Sequence, residues 1–170
     1  MAPAWLWIVL AFVGLQRVAE LLYATATAKR LDARGAVWVR EDGYGLLVIV
    51  HVLLFVGCAA EALWAPWANE GWWSVAGALL YAFGAGLRYA SMAALRARWS
   101  TRVYRLDGAP LVRTGPYRLL RHPIYTGVFL ELVGIPMLAG LWATLAVVTV
   151  LHVVGLRRRI VAEERALGLS

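Results

Sequence analysis

The stretch RTGPYRLLRHPIYTG, Arg113 to Gly127, gathers three arginines, a histidine and two tyrosines among two prolines and two glycines. His122 stands between Arg121 and Pro123, just ahead of an apolar run that begins at Ile124. Proline is favoured at the first position of a helix, and it pushes the preceding residue toward an extended backbone. Arg121 and His122 are therefore expected to project from a helix N-terminus, where backbone N–H groups and the helix dipole attract anions. Gly115-Pro116 reads as a turn, and Gly127 would let another group approach the helix closely. This chemistry suits a small anionic ligand. It equally suits a basic loop resting on phospholipid headgroups. A second charged stretch, RRRIVAEERALG from Arg157 to Gly168, reads as a helix. There Arg159 and Glu163 have the i, i+4 spacing of a surface pair worth about 0.2–0.5 kcal/mol.

A different set of ionisable residues is scattered through apolar segments: Arg17, Glu20, His51, Arg88, Glu131 and His152. Ionisable groups inside a membrane are costly and tend to face cavities or partners. Long arginines near helix ends can snorkel to the surface, and Arg17 and Glu20 are spaced i, i+3 and could simply pair. Shorter side chains such as Glu20, Glu131 and His51 reach less far. Together the six suggest one polar cavity.

The elements that must position them are helices in a bilayer. Of the 170 residues, 62% are apolar and 16% are charged, with nine tryptophans. Soluble domains run nearer 45–50% apolar and about 25% charged. The formal charge of +7 points to headgroups or anionic substrates, not nucleic acid, given so little polar surface. Cys58 is the single cysteine, which excludes a disulfide framework and fits a small core or lipid-facing residue. Apolar runs at 3–23, 44–63 and 72–94 are long enough to span. A longer block at 124–156 is interrupted by Gly134, Pro136 and Gly140-Leu141 and is read as a helical hairpin with short arms. The first run is taken as a retained helix, since its positive residues follow the apolar segment instead of preceding it.

Seventeen residues are Lys or Arg. Setting aside Arg17 and Arg88, they fall in 24–43 (including Arg40), 95–123 and the tail, with none near 64–71 or 140. By the positive-inside rule this predicts an all-α integral membrane protein with five transmembrane helices. The N-terminus would lie outside and the C-terminus would end in a short cytosolic tail helix. The chain reads as one membrane domain, with 1–95 on the substrate side and 96–170 on the cofactor side.

The ordered motifs resemble the isoprenylcysteine carboxyl methyltransferase family of integral-membrane enzymes. The resemblance is carried first by Leu111, Val112, Gly115, Pro116, Tyr117, Arg121, His122, Pro123, Tyr125 and Gly127, and then by Arg159, Ile160, Glu163, Glu164 and Leu167. A looser similarity links the N-terminal half to a bacterial branch that methylates long-chain alkylpyrones. It rests on Gln16-Arg17 with Glu20-Leu21, on Arg34-Gly35-Ala36, on His51 and on Arg98–Val103. The resemblance implies S-adenosylmethionine as cofactor, cradled by residues 111–127 with His122 and Tyr125 as polar contacts. Glu163 and Glu164 would meet its cationic groups or ribose hydroxyls, and Arg121 or Arg159 its carboxylate. No Gly-rich dinucleotide fingerprint is present, and the histidines show no metal-ligand spacing.

Methyl transfer needs an in-line nucleophile and exclusion of water, so positioning supplies much of the rate. The expected acceptor is a lipophilic small molecule methylated at oxygen, a carboxylate or an acidic enol or phenol. Arg17, Glu20, His51, Arg88 and Arg102 are the candidate catalytic residues, with the arginines holding the anion. Methylation of a phospholipid amine, an NADPH-dependent reductase and a non-enzymatic scaffold are the alternatives.

Overall fold

The computed structural model describes residues 3–39, 43–64, 71–106 and 108–168. Arg40 and the loop without Lys or Arg expected between the second and third helices lie outside the described residues, the latter over 65–70. Five helices follow one another: α1 (Ala4–Asp32), α2 (Tyr44–Trp64), α3 (Trp72–Leu95), α4 (Pro123–Leu138) and α5 (Trp142–Leu167). A two-residue ribbon accompanies them, β1 (Val37–Trp38) antiparallel to β2 (Tyr104–Arg105), with Val37 opposite Arg105.

Among the described residues, three helices are long and apolar enough to cross a membrane, α1, α2 and α3. The five expected crossings thus resolve into these three and a hairpin of different character. At 1.5 Å per residue α4 is about 24 Å long, short of the ~30 Å hydrocarbon core. Its chain reverses at Ala139–Leu141, at the Gly140-Leu141 interruption, while Gly134 and Pro136 lie within α4. Pro136 sits in the last turn of α4, where its carbonyl accepts from the Leu141 N–H at 2.9 Å. Gly140, with φ +67°, supplies the left-handed residue that closes such a turn. The expected short tail helix is not separate. Nothing between Trp142 and Leu167 breaks the helix, so the second arm and the charged tail form one rod. Likewise α1 continues past the predicted residue 23 to Asp32, because no Gly or Pro interrupts it before Gly35.

Helices in lipid gain little from the hydrophobic effect and associate by close packing through small residues. The α3–α4 pair shows how. A Cβ added to Gly84 would lie 2.7 Å from the Gly127 carbonyl oxygen, and one added to Gly134 2.7 Å from that of Gly77. The two backbones touch along a seam of glycines seven residues apart on each helix. On the other side, α2 and α5 run antiparallel. A Cβ on Gly43 would meet the Gly155 carbonyl oxygen at 2.8 Å, and one on Gly57 the Thr144 side chain at 3.0 Å. Glu61 of α2 caps α5 by accepting from the Ala143 and Thr144 N–H groups at 3.1 and 2.7 Å. Its negative charge suits the positive end of the helix dipole. Leu6, Leu10, Val13, Val50, Leu54, Cys58, Leu132 and Ile135 fill the space between. Cys58 is fully buried, in agreement with its reading as a core residue.

Candidate functional site

The basic segments gather at one end of the bundle. There the ribbon, the 96–122 connection, the start of α4 and the end of α5 interlock. Arg98 donates to the Pro110 carbonyl at 2.7 Å, Trp99 stacks on Tyr23, and Val39 N–H bonds the Val103 carbonyl at 3.0 Å. A cavity of about 490 Å³ opens here and runs into the bundle, within the ~300–1,000 Å³ of small-molecule sites.

At its outer end, the sequence motifs meet. His122 stands at the residue before α4 and its ring stacks on Tyr125, centroids 5.6 Å apart. Its Nε2 lies 3.1 Å from Glu164 Oε1, and its Nδ1 3.7 Å from Glu163 Oε2. The Tyr125 hydroxyl donates to Glu163 at 2.5 Å and accepts from Arg159 Nε at 2.8 Å. Arg159 also donates to the Thr101 carbonyl at 2.6 Å. The i, i+4 residues Arg159 and Glu163 therefore converge on one hydroxyl. Burial, with the Glu163 charge nearby, pushes the Tyr117 hydroxyl above its ordinary value, so it stays a protonated donor at neutral pH.

Leu111, Val112, Tyr117, Arg121, His122, Tyr125, Arg159 and Glu163 all line the cavity. Gly115, Pro123, Gly127 and Glu164 do not. Their places have other reasons. Gly115 adopts φ +57° against Ala94, Pro123 starts α4, and Glu164 holds His122. Gly127 makes room for α3, since a Cβ there would sit 3.0 Å from the Arg88 backbone nitrogen. Its expected close approach is real, but the group approaching is a helix.

The inner end holds Arg17, Glu20, His51 and Arg88, and Arg102 lines the same cavity. Arg17 pairs with Glu20 at 2.9 Å and also with Glu131. Arg88 pairs with Glu20, and its Nε with Glu131 at 2.9 Å. Tyr89 adds a hydroxyl to Glu20 at 3.0 Å, and Tyr81 joins through Gln16 at 2.8 Å. Arg17 and Arg88 were expected to hold an anionic acceptor. In the structure both are paired with the carboxylates of Glu20 and Glu131. Arg88 does not snorkel: it is 2% exposed. Among the described residues Arg102 has no carboxylate partner, its guanidinium lying 4.8 Å from the Trp38 ring and 5.8 Å from that of Tyr44.

Sequence reasoning placed Glu131 in the polar cavity without a role and left Tyr81 and Tyr89 out. The signal was a stripe on α3, Gly77, Tyr81, Gly84, Arg88 and Ser91 at three- and four-residue steps. On α4, Gly127, Glu131 and Gly134 repeat the pattern. No cluster of three or more metal-ligating side chains occurs among the described residues.

The chain is 31% identical over 161 residues to an uncharacterized protein, YpbQ, of Bacillus subtilis (strain 168), with 95% of each chain covered. No solved structure matches. The model of one family matches residues 77–168, the span that holds the glycine seam, the His122–Glu164 cluster and the hairpin between them. By that match the chain belongs to the isoprenylcysteine carboxyl methyltransferase family, and it is a membrane methyltransferase.

Proposed function

We propose that the protein uses S-adenosylmethionine to methylate a lipophilic acceptor at oxygen, by direct displacement. The observation that supports this most is the continuity of one cavity from the family motif at the basic end to apolar walls deep in the bundle. A water-soluble cofactor and a membrane-dissolved acceptor could meet in it. With the basic end cytosolic, as the positive-inside rule requires, the cofactor enters from the cytosol and the N-terminus lies outside.

The donor set fits the cofactor. Leu111, Val112 and Ile124 give an apolar wall for the adenine. Glu163 lines the cavity and can meet ribose hydroxyls or a cationic group, while Glu164 orients His122. Arg159 is buried and held by Tyr125 and Thr101, so the exposed Arg121 is the better partner for the methionine carboxylate. When bound, the cofactor supplies an electrophilic methyl carbon on a sulfonium. The protein holds the acceptor oxygen in line with it and keeps water out. Arg102, without a carboxylate partner among the described residues, is available to attract an acidic headgroup. A carboxylate would arrive ionised, whereas a hydroxyl would first have to lose its proton.

Calorimetric titration of the purified protein with S-adenosylmethionine, and with its demethylated product, tests the reading. Saturable binding weakened about tenfold by Glu163→Gln is expected, equivalent to about 1.4 kcal/mol. Absence of binding to folded protein at millimolar cofactor would overturn it.

A further inference from the structure

We infer that His51 is the general base of the reaction, taking the proton of an acceptor hydroxyl as the methyl group is transferred. The inference rests on the methyl-transfer reading and narrows it.

The antiparallel packing of α2 on α5 sets the geometry. A Cβ on Gly155 would touch the Leu47 side chain at 3.2 Å. One turn on from Leu47 is His51, and about one turn before Gly155 is His152. The two imidazoles come from facing helices and line the same cavity.

His51 Nδ1 lies 2.7 Å from the Leu47 carbonyl oxygen. A carbonyl can only accept, so Nδ1 carries the hydrogen, and in the neutral ring Nε2 is left with a lone pair. His152 is only 2% exposed, and neither of its ring nitrogens has a partner among the described residues. Arg88 Nη2 is likewise buried and unpartnered. Buried polar groups left unsatisfied are costly, and Arg88 and His152 both line the chamber. The remaining wall there is apolar, with Leu47, Val48, Val52, Phe55 and Val128. The charged groups acting on His51 are Arg17 and Glu20 from α1 and Arg88 from α3, with His152 facing it from α5.

A hydroxyl on an oxygenated ring satisfies this set. Its O–H donates to His51 Nε2, and a neighbouring oxygen accepts from His152. A carboxylate brings no proton for His51 and places its charge near Glu20. In the step, the O–H bond breaks and the proton passes to His51 Nε2. The oxygen lone pair forms the new O–C bond to the sulfonium methyl, and the C–S bond breaks with its electron pair returning to sulfur as a thioether. His51 then releases its proton to water.

The test uses a long-chain alkyl nitrophenol, without methyl donor, at a pH where the free probe is protonated. Wild-type protein in detergent is expected to bind it and move its absorption toward the phenolate band. His51→Gln keeps an acceptor atom but not a base. It should bind the probe within about threefold, lose the spectral shift, and lower kcat about a hundredfold with little change in KM. His152→Asn should weaken probe binding about tenfold and keep the shift. Retained S-adenosylmethionine binding certifies that each variant is folded. A shift that persists in His51→Gln overturns the inference. So does a wild-type protein that takes a long-chain carboxylate and not the phenol while binding the cofactor, and the methyltransferase reading then survives. Failure of the wild type to bind the cofactor overturns both.

Discussion

The protein contains two clusters of charged side chains drawn from distant parts of the chain, and they are built on opposite plans. The inner one, Arg17, Glu20, Arg88 and Glu131, is closed. Each carboxylate meets both arginines, and Arg88 and Glu131 are 2% and 1% exposed. In the outer one His122, Tyr125, Arg159 and Glu163 line the cavity, with Glu164 behind His122, and Glu163 and Glu164 are about a quarter exposed. A buried charge that loses its partner is expensive, so the closed cluster ties α1 to the α3–α4 pair. An exposed pair contributes little to stability, so the open cluster is available for a ligand. Proximity of charges alone does not mark a binding site; what matters is whether some valence of the cluster still faces open space.

The contrast fails most visibly if Glu131→Gln and Glu163→Gln have similar effects on unfolding. We expect Glu131→Gln to cost about 3–5 kcal/mol, because it leaves two arginines short of a partner. Denaturant unfolding in micelles measures it, with Glu163→Gln in the same series expected to cost less than about 1 kcal/mol. Next in size is Gly127→Ala. Its Cβ would press on the Gly84 carbonyl oxygen and the Arg88 backbone, and overpacking of this kind costs about 1–3 kcal/mol. A neutral result from thermal unfolding would mean that the seam is looser than its contacts imply. The open cluster is tested on affinity, where the tenfold loss expected for Glu163→Gln should appear without a drop in thermal midpoint. The smallest effect is assigned to Arg102→Ala. Loss of a cation stacked on aromatic rings is worth about 1 kcal/mol and should raise the acceptor KM about fivefold while cofactor affinity holds. An equal change in cofactor affinity would place Arg102 in the cofactor's own contacts.

The helices were legible because composition alone demands them in lipid, and α2 and α3 begin and end within a residue or so of the apolar runs. The open cluster was legible too, since its members sit in two short motifs whose order carries the resemblance. What stayed hidden depended on pairing between helices. The sequence placed Arg17 beside Glu20, but nothing local said that Arg88 and Glu131 would complete a balanced square. The arginines therefore looked free to bind an anion. The seven-residue glycine spacing on α3 and α4 was readable as a packing stripe. Gly127 was assigned to ligand approach because its neighbours in sequence were the motif, not the helix it meets in space. The ribbon of Val37–Trp38 with Tyr104–Arg105 is two residues a side, too short for any periodicity to announce it.

One helix, α5, carries His152 toward the inner chamber and Arg159, Glu163 and Glu164 at the outer end without a break. Eleven residues separate His152 from Glu163, about 16 Å along the axis. Such a rod works as a ruler: it sets how far the reacting headgroup lies from the cofactor's anchors, and no hinge between them absorbs an error. Insertion of a single residue between the two would swing one set of side chains about 100° away from the other and misalign the transfer while leaving every contacting residue in the chain.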